Sequence, residues 1–335
     1  MKEYFKNHGF SKEATVLVGH CRRIVDSFQG RGLRLTLRQL YYQLVVANII
    51  PNHEKQYKKL SGVLSDARLM GLIDWSAIED RIRRPRFPNQ FRDLKDLTET
   101  AANAYRLDRW EGQAYYVELW VEKDALSGVL APLANEYHVH LMVNRGYSSQ
   151  TAMYDSGKRF LTACYGEKLP YETLAKHLDA ASDSKLSELM GNVNVLDRSK
   201  LGDPQKEPVL LYLGDHDPSG EDMVRDIAER LVMFGLHVDV RKVALTMEQV
   251  KEYDPPPNPA KMTDPRAEKY VQEHGDTSWE VDALPPDALD RTIREALDDL
   301  VDQKKMDAVI EREERDKKKL RRAVSAIGRK RNSEH

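Results

Sequence analysis

A mixed α/β protein is predicted, with a helical N-terminal part followed by a mostly parallel sheet flanked by helices. Three observations lead there. Residues 13–28, 36–45 and 57–67 carry apolar side chains at helical spacing. Beyond residue 111, short, mainly apolar strands at 115–121, 139–143 and 208–213, the last continuous, alternate with helical stretches, the pattern of successive β-α units. Charge divides the chain at a similar place: residues 1–100 hold 18 Lys/Arg against 11 Asp/Glu and the remainder 34 against 43, so a front part of +7 precedes a back part of −9.

That division points to a basic end that meets nucleic-acid phosphates and an acidic end that gathers carboxylates for a metal. Length allows two domains or one elaborated domain, since 335 residues can bury a real core. No apolar run approaches the ~20 residues of a membrane span, and Met-Lys-Glu-Tyr-Phe at the start is not the apolar region of a secretion signal. Cys21 and Cys164 stand alone, which excludes a disulfide framework or a cysteine-rich zinc site. A reducing, cytoplasmic setting and an oxygen-bound metal are therefore expected.

In chain order, the helix at 13–28 ends at the turn signal Gln29-Gly-Arg-Gly32. The next helix opens with Thr36 as N-cap and Gln39 at capping-box spacing, and Leu35 can staple against Leu40. Leu37, Leu40, Tyr41, Leu44 and Val45 form its buried stripe. Tyr42 lies about 100° round from Tyr41 and shares a side with Arg38, four positions earlier. Tyr41 is expected in the core and Tyr42 on an exposed or cleft-facing side, its phenol beside a guanidinium that could hold a phosphate. Attack by tyrosine on a phosphodiester requires a positive field or a base, because the free phenol has a pKa near ~10; an Arg/Tyr surface stack is the plainer reading.

A third helix at 57–67, Gly71 as a turn and a short Leu72-Ile73 strand suggest a winged helix, which would set one helix in the DNA major groove and loops on the backbone. Lys55, Lys58, Lys59, Arg68, Arg81, Arg83, Arg84 and Arg86, with Arg92, are the candidate phosphate contacts, and the proline-broken segment 81–88 reads as a wing tip or a connector. Helical spacing at 93–109 makes a linker helix.

The strand at 115–121 ends at Glu122, and the strand at 208–213 runs into Gly214-Asp215-His216-Asp217. Carboxylates at the carboxyl ends of parallel strands sit where open α/β sheets bind ligands, and two aspartates one residue apart suit a hard cation such as Mg²⁺. His216 stays open between a proton donor, a phosphate contact and a polar turn residue. Residues 166–207 read as a polar insertion, 254–259 as a proline-stiffened connector, 286–300 as an amphipathic helix and 304–335 as a basic tail.

Thr36-Leu-Arg-Gln-Leu-Tyr-Tyr42, Val121-Glu-Lys-Asp-Ala125, Arg145-Gly-Tyr147 and Gly214-Asp-His-Asp-Pro218, in this order and spacing, resemble the topoisomerase VI A subunit and its meiotic double-strand-break relatives. Ser278-Trp-Glu-Val-Asp-Ala-Leu284 resembles the Glu-rich motif that ends their Toprim region. Gly214-Asp-His216 stands where the family more often has Thr/Ser-Asp-Ala, and no Pro-Asp follows Tyr147. The resemblance implies a winged-helix (CAP-like) domain over 1–92, the linker at 93–110, and a Toprim domain over 111–303.

It also implies roles. Tyr42 would be the nucleophile and Arg38 its partner, with Mg²⁺ (or Mn²⁺) held by Glu122, Asp215 and Asp217 and Glu122 doubling as acid/base. Double-stranded DNA would be cut by transesterification, leaving a 5′-phosphotyrosyl link, in a homodimer whose composite sites pair one chain's tyrosine with the other's metal. No glycine-rich ATP loop occurs in the sequence, so strand passage coupled to ATP would need a separate ATPase subunit. The alternatives are a Toprim nuclease that activates water and a DNA-binding or assembly subunit without catalysis. A nucleoid-associated location follows if the source is prokaryotic.

Overall fold

The computed structural model describes residues 2, 4–5, 8–31, 33–78, 90–173 and 194–331, of which 173, 195 and 324–331 are described by backbone alone. Three helices, α1 (Lys12–Gly30), α2 (Leu37–Val46) and α3 (Glu54–Leu69), pack their apolar stripes together, burying Leu17, Cys21, Val25, Leu40, Leu44 and Leu60. Their starts follow the sequence. Ser11 accepts from the Ala14 amide, and Thr36 and Gln39 make both bonds of the predicted capping box.

The Leu72-Ile73 strand does not form. Gly71 turns at positive φ, Asp74 caps a short 3-10 turn, and the segment makes only isolated bridges, Tyr4 with Met70 and Leu35 with Ile78. Two apolar residues between a turn and a cap are too few for a ladder, and Ile73 is buried in the helical core instead. Arg81, Arg83, Arg84, Arg86 and the rest of the 81–88 segment lie outside the described residues.

After α4 (Leu94–Ala104), the chain enters a four-stranded parallel sheet in the order β2-β1-β5-β6, formed by β1 (Tyr115–Val121), β2 (His140–Val143), β5 (Glu207–Leu213) and β6 (Asp239–Ala244). The alternation within the apolar runs separates two buried faces. Val117, Leu119, Val121, Val209, Leu211 and Leu213 join one core with α5 (Ser127–Tyr137) and α10 (Pro286–Asp298). Trp120, Leu210 and Tyr212 join another with α6 (Gln150–Tyr165) and α7 (Pro218–Met233). Glu118 interrupts β1 fully buried, where Arg159 meets it through two bonds of 2.8 and 3.0 Å and Trp120 Nε1 and Tyr116 Oη donate to it.

The 166–207 stretch contributes an antiparallel ribbon, β3 (Tyr171–Thr173) with β4 (Asn194–Leu196); residues 174–193 are not among those described. The edge strand β6, the helices α8 (Met247–Tyr253) and α9 (Ala267–His274), and a second ribbon of β7 (Asn258–Pro259) with β8 (Thr277–Ser278) were not legible as elements. The expected proline connector ends in β7. The expected basic tail is a helix from its first residues, α11 (Gln303–Arg331), packed on α4. Its Glu313 is buried, accepting from the Leu107 amide at 2.9 Å and from Lys317 Nζ at 2.6 Å. No helix among the described residues is long and apolar enough to cross a membrane.

Candidate active site

From β1 the chain moves to β2 on one side and later returns to β5 on the other, so the order reverses between β1 and β5. Val121 stands in register with Leu213, and the Glu122 amide donates to the Leu213 carbonyl at 2.8 Å. Glu122 and Asp215 therefore leave the sheet side by side at the switch point, where open sheets bind ligands. The Asp215 amide donates to Glu122 Oε2 at 3.1 Å.

Helix α7 starts hard against this turn. Asp217 is its N-cap, accepting from the Gly220 amide at 2.7 Å and Ser219 Oγ at 2.8 Å, with Pro218 in the first turn. Gly220 is required by proximity, since a Cβ there would come 2.1 Å from the Asp215 carbonyl oxygen. Turn chemistry and carboxylate placement thus come from the same residues.

The segment after β8 adds two more acids. Val281 donates its amide to Asp215 Oδ1 at 2.9 Å, which sets Glu280 and Asp282 on either side of that bond. Lys123 Nζ lies 2.9 Å from Asp215 Oδ1, 2.9 Å from Glu280 Oε2 and 3.2 Å from Asp282 Oδ1. From α2, Tyr42 Oη donates to Glu280 Oε2 at 2.8 Å, Arg38 donates to Tyr42 Oη at 3.4 Å, and the guanidinium is paired with Glu280 and reaches Asp282 Oδ2 at 2.9 Å. Arg38, Tyr42, Glu280, Lys123 and Asp215 form one bonded chain within a single protomer.

Four carboxylates, Glu122, Asp215, Glu280 and Asp282, thus lie around two cations, Arg38 and Lys123, and their titration reflects it. Burial, then Asp215, pushes Glu122 up to about 6. Burial raises Asp215 despite Lys123. Burial likewise pushes Asp282 up to about 6 against Lys123 and Arg38. Glu280 is also penalised by burial, yet Lys123 and Arg38 hold it down at about 2. Burial and Glu280 keep the Tyr42 phenol well above its ordinary value, against Arg38.

Several expected residues stand differently from their sequence reading. Tyr42 is not exposed: it is 4% accessible and shares the helical core with Tyr41, because α1, α3 and the 280–284 segment cover more of α2 than one stripe. Its ring borders a cavity of about 220 Å³ with Arg38, Tyr57, Asn52, Asn258 and Glu280, so it does face a cleft. Arg68 turns inward, its guanidinium 4.4 Å over the Trp75 ring. Lys58 pairs with Glu54 and Lys59 with Glu13, while Lys55 is exposed on the same helix. Arg92 pairs with Asp96.

Lys123, Glu280 and Asp282 were quoted in motifs without a role; the acid-x-acid spacing of Glu280-Val-Asp282, repeating that of Asp215-His-Asp217, was the available signal. Asn144, beyond β2, is buried with neither amide atom bonded among the described residues, and nothing in the sequence marked it.

Glu122, Asp215 and Asp217 suit a hard cation by donor chemistry. Each is an oxygen donor held through one carboxylate oxygen. Among the described residues Glu122 Oε1 and Asp215 Oδ2 have no hydrogen-bond partner, and the raised acids carry a charge stress that a cation relieves. The described group whose ligand atoms already lie within 4.8 Å of one another is a different one, His216, Glu221 and His274. His216 is 2% accessible and its ring packs among Tyr270, His274 and Trp279, away from the open solvent that a phosphate contact needs. Comparison with family models, with curated proteins and with solved structures gave no match for this chain.

Proposed function

We propose that the protein is a Mg²⁺-dependent DNA-cleaving enzyme that acts by tyrosine transesterification, with residues 8–78 serving as a winged-helix-type DNA-contacting part and the sheet as a Toprim-type metal-binding part. The observation that carries this is the bonded chain from Arg38 and Tyr42 through Glu280 and Lys123 to Asp215. It joins a tyrosine on the basic N-terminal part to carboxylates at the sheet's switch point.

In this reading Tyr42 Oη attacks the backbone phosphorus, the P–O3′ bond breaks, and the enzyme is left linked to the 5′ phosphate. The phenolic proton passes toward Glu280, which already accepts it in a hydrogen bond and becomes a stronger base as Arg38 turns from it to the phosphate. Glu122, whose carboxyl burial and Asp215 push up, is the group suited to return a proton to the departing 3′-oxygen. Arg38 neutralises charge on the phosphate once it exchanges Glu280 for it. Glu122, Asp215 and Asp217 would hold Mg²⁺ (or Mn²⁺), which supplies charge stabilisation for the phosphate and the leaving oxygen when bound.

The burial of Tyr42 favours a second reading, hydrolysis by metal-activated water with no covalent intermediate. Denaturing trap assays on supercoiled DNA with Mg²⁺ or Mn²⁺ separate the two. The transesterase gives protein–DNA adducts that vanish in Tyr42→Phe. Cleavage that persists in Tyr42→Phe without adducts establishes the nuclease, and no cleavage by the wild type identifies a binding or assembly subunit. Mixing Tyr42→Phe with Asp215→Asn chains tests the homodimer: restored adducts require sites shared between two copies, and none restricts each site to one chain. An ATPase partner would be needed only if strand passage is observed.

A further inference from the structure

We propose that His216, Glu221 and His274 form a second metal site, for a Zn²⁺-type divalent cation, distinct from the carboxylate site and independent of the cleavage reading. Three elements contribute one ligand each: the turn after β5, the first turn of α7 and the last residue of α9. Their ligand atoms all lie within 4.8 Å of one another, and the two imidazole rings meet at 88° with centroids 4.9 Å apart.

Hydrogen bonding fixes which nitrogen faces the cluster. Tyr270 Oη lies 2.9 Å from the His216 carbonyl, 3.0 Å from the Thr277 carbonyl and 2.8 Å from His216 Nδ1. Both carbonyls can only accept, so the single hydroxyl hydrogen goes to them and Nδ1 must donate to the hydroxyl oxygen. In the neutral ring Nε2 then carries the lone pair, and it points at Glu221 Oε1, 3.6 Å away. Two acceptors thus face each other beside a buried imidazole. A cation between them removes that conflict, and a tyrosine that orients the ring through its other nitrogen is the usual outer support of a metal-bound imidazole.

The donor set decides the ion. Two imidazoles and one carboxylate suit Zn²⁺ and its first-row neighbours, leave a fourth position for water, and are a poor match for Mg²⁺. Lys242 Nζ bonds Glu221 Oε1 and, at 2.8 Å, the Asp215 carbonyl, so Glu221 would offer Oε2 to the metal and keep Lys242 on Oε1. Ligand bonds of about 2.0–2.1 Å need His274 and Glu221 to close in by a rotamer change, for which both are partly exposed, while His216 stays pinned. The bound ion would tie α9 to the turn that carries Asp215 and Asp217.

The test uses the full chain, stripped with chelator and titrated with Zn²⁺ in excess Mg²⁺, followed calorimetrically and with Co²⁺ as spectroscopic probe. One equivalent of Zn²⁺ and the visible absorption of four-coordinate Co²⁺ are expected. Affinity should fall at least ~10-fold in His274→Ala and Glu221→Gln, and ~10–100-fold in Tyr270→Phe, which keeps all three ligands. Thermal melts of the metal-free variants confirm that they are folded. Absence of Zn²⁺ binding in the wild type, or equal binding in His274→Ala and Glu221→Gln, overturns the proposal and leaves a protonated His216 paired with Glu221.

Discussion

Replacing Lys123 by methionine removes a cation shared by Asp215, Glu280 and Asp282 while keeping the volume of the stem. The cost can be followed through Asp282. Its ordinary value is 3.8 and it stands at about 6 in the folded protein with Lys123 and Arg38 beside it. At about 1.4 kcal/mol per pH unit, the wild type loses ~3 kcal/mol at pH 8 to this raised carboxyl. Without Lys123 the group stays protonated on folding, which costs ~6 kcal/mol at that pH, an excess of ~3 kcal/mol. Below pH 6 both proteins fold with Asp282 protonated and the excess disappears.

Glu280 behaves in the opposite sense, because its pKa is depressed to about 2, so the stability it draws from Lys123 is present above its ordinary value of 4.5 and persists at pH 5. Lys123→Met should therefore destabilise by ~5 kcal/mol at pH 8, as expected for one broken partner of a buried ionic cluster, and by ~2 kcal/mol at pH 5. Urea unfolding of both proteins at the two pH values reads this directly. A loss below ~1 kcal/mol at pH 8 would show that the acids do not depend on Lys123, and the same loss at both pH values would show that Asp282 does not.

Other outcomes follow from the same geometry. Glu122 is raised from 4.5 to about 6, so the metal-free protein is destabilised by ~2 kcal/mol above pH 6 and relieved as pH falls through 4.5. Mg²⁺ should accordingly raise the melting temperature at pH 8 and leave it unchanged at pH 5, and scanning fluorimetry with and without Mg²⁺ at both pH values decides. Gly220→Ala drives a methyl into the Asp215 carbonyl, so loss of Mg²⁺-induced stabilisation together with a drop of ~3 kcal/mol is expected in the same assay; an unchanged melting curve refutes the close approach. Arg159→Met strands Glu118 inside the sheet and should cost ~3–5 kcal/mol by denaturant unfolding, whereas a surface pair would cost under ~1 kcal/mol.

What the sequence disclosed depended on how local the determining physics is. The cap of α2 was readable because Thr36 and Gln39 satisfy each other within one turn, and β1 and β5 because a strand buried on both faces leaves an apolar run, broken in β1 by Glu118 alone. Edge strand β6, Asp-Val-Arg-Lys-Val-Ala, lacks such a run, since Asp239 and Arg241 are exposed and Lys242 turns to Glu221 and the Asp215 carbonyl. Tyr42 was separated from Tyr41 by helical angle alone, and that argument could not see that residues 280–284 close over α2 from more than 200 positions away. Glu122 and Asp215 were legible as strand-end acids, but Lys123, the ion they share with Glu280 and Asp282, gains its meaning only from tertiary neighbours. Nor could His216 be assigned, because its partners Glu221, Tyr270 and His274 lie on other elements.

The bonded chain through Glu280 also orders events in time. Lys123 meets Glu280 across 157 positions and Arg38 meets it across 242, separations whose closure is entropically costly and slow compared with forming any one helix. The helical part and the β1–β5 pairing can each form from nearer contacts, but the carboxylates acquire their cationic partners only when the 278–284 segment docks. Competence is thus expected to appear late in folding, and a nascent chain that ends before this segment would carry Tyr42 and the strand-end acids without the link between them.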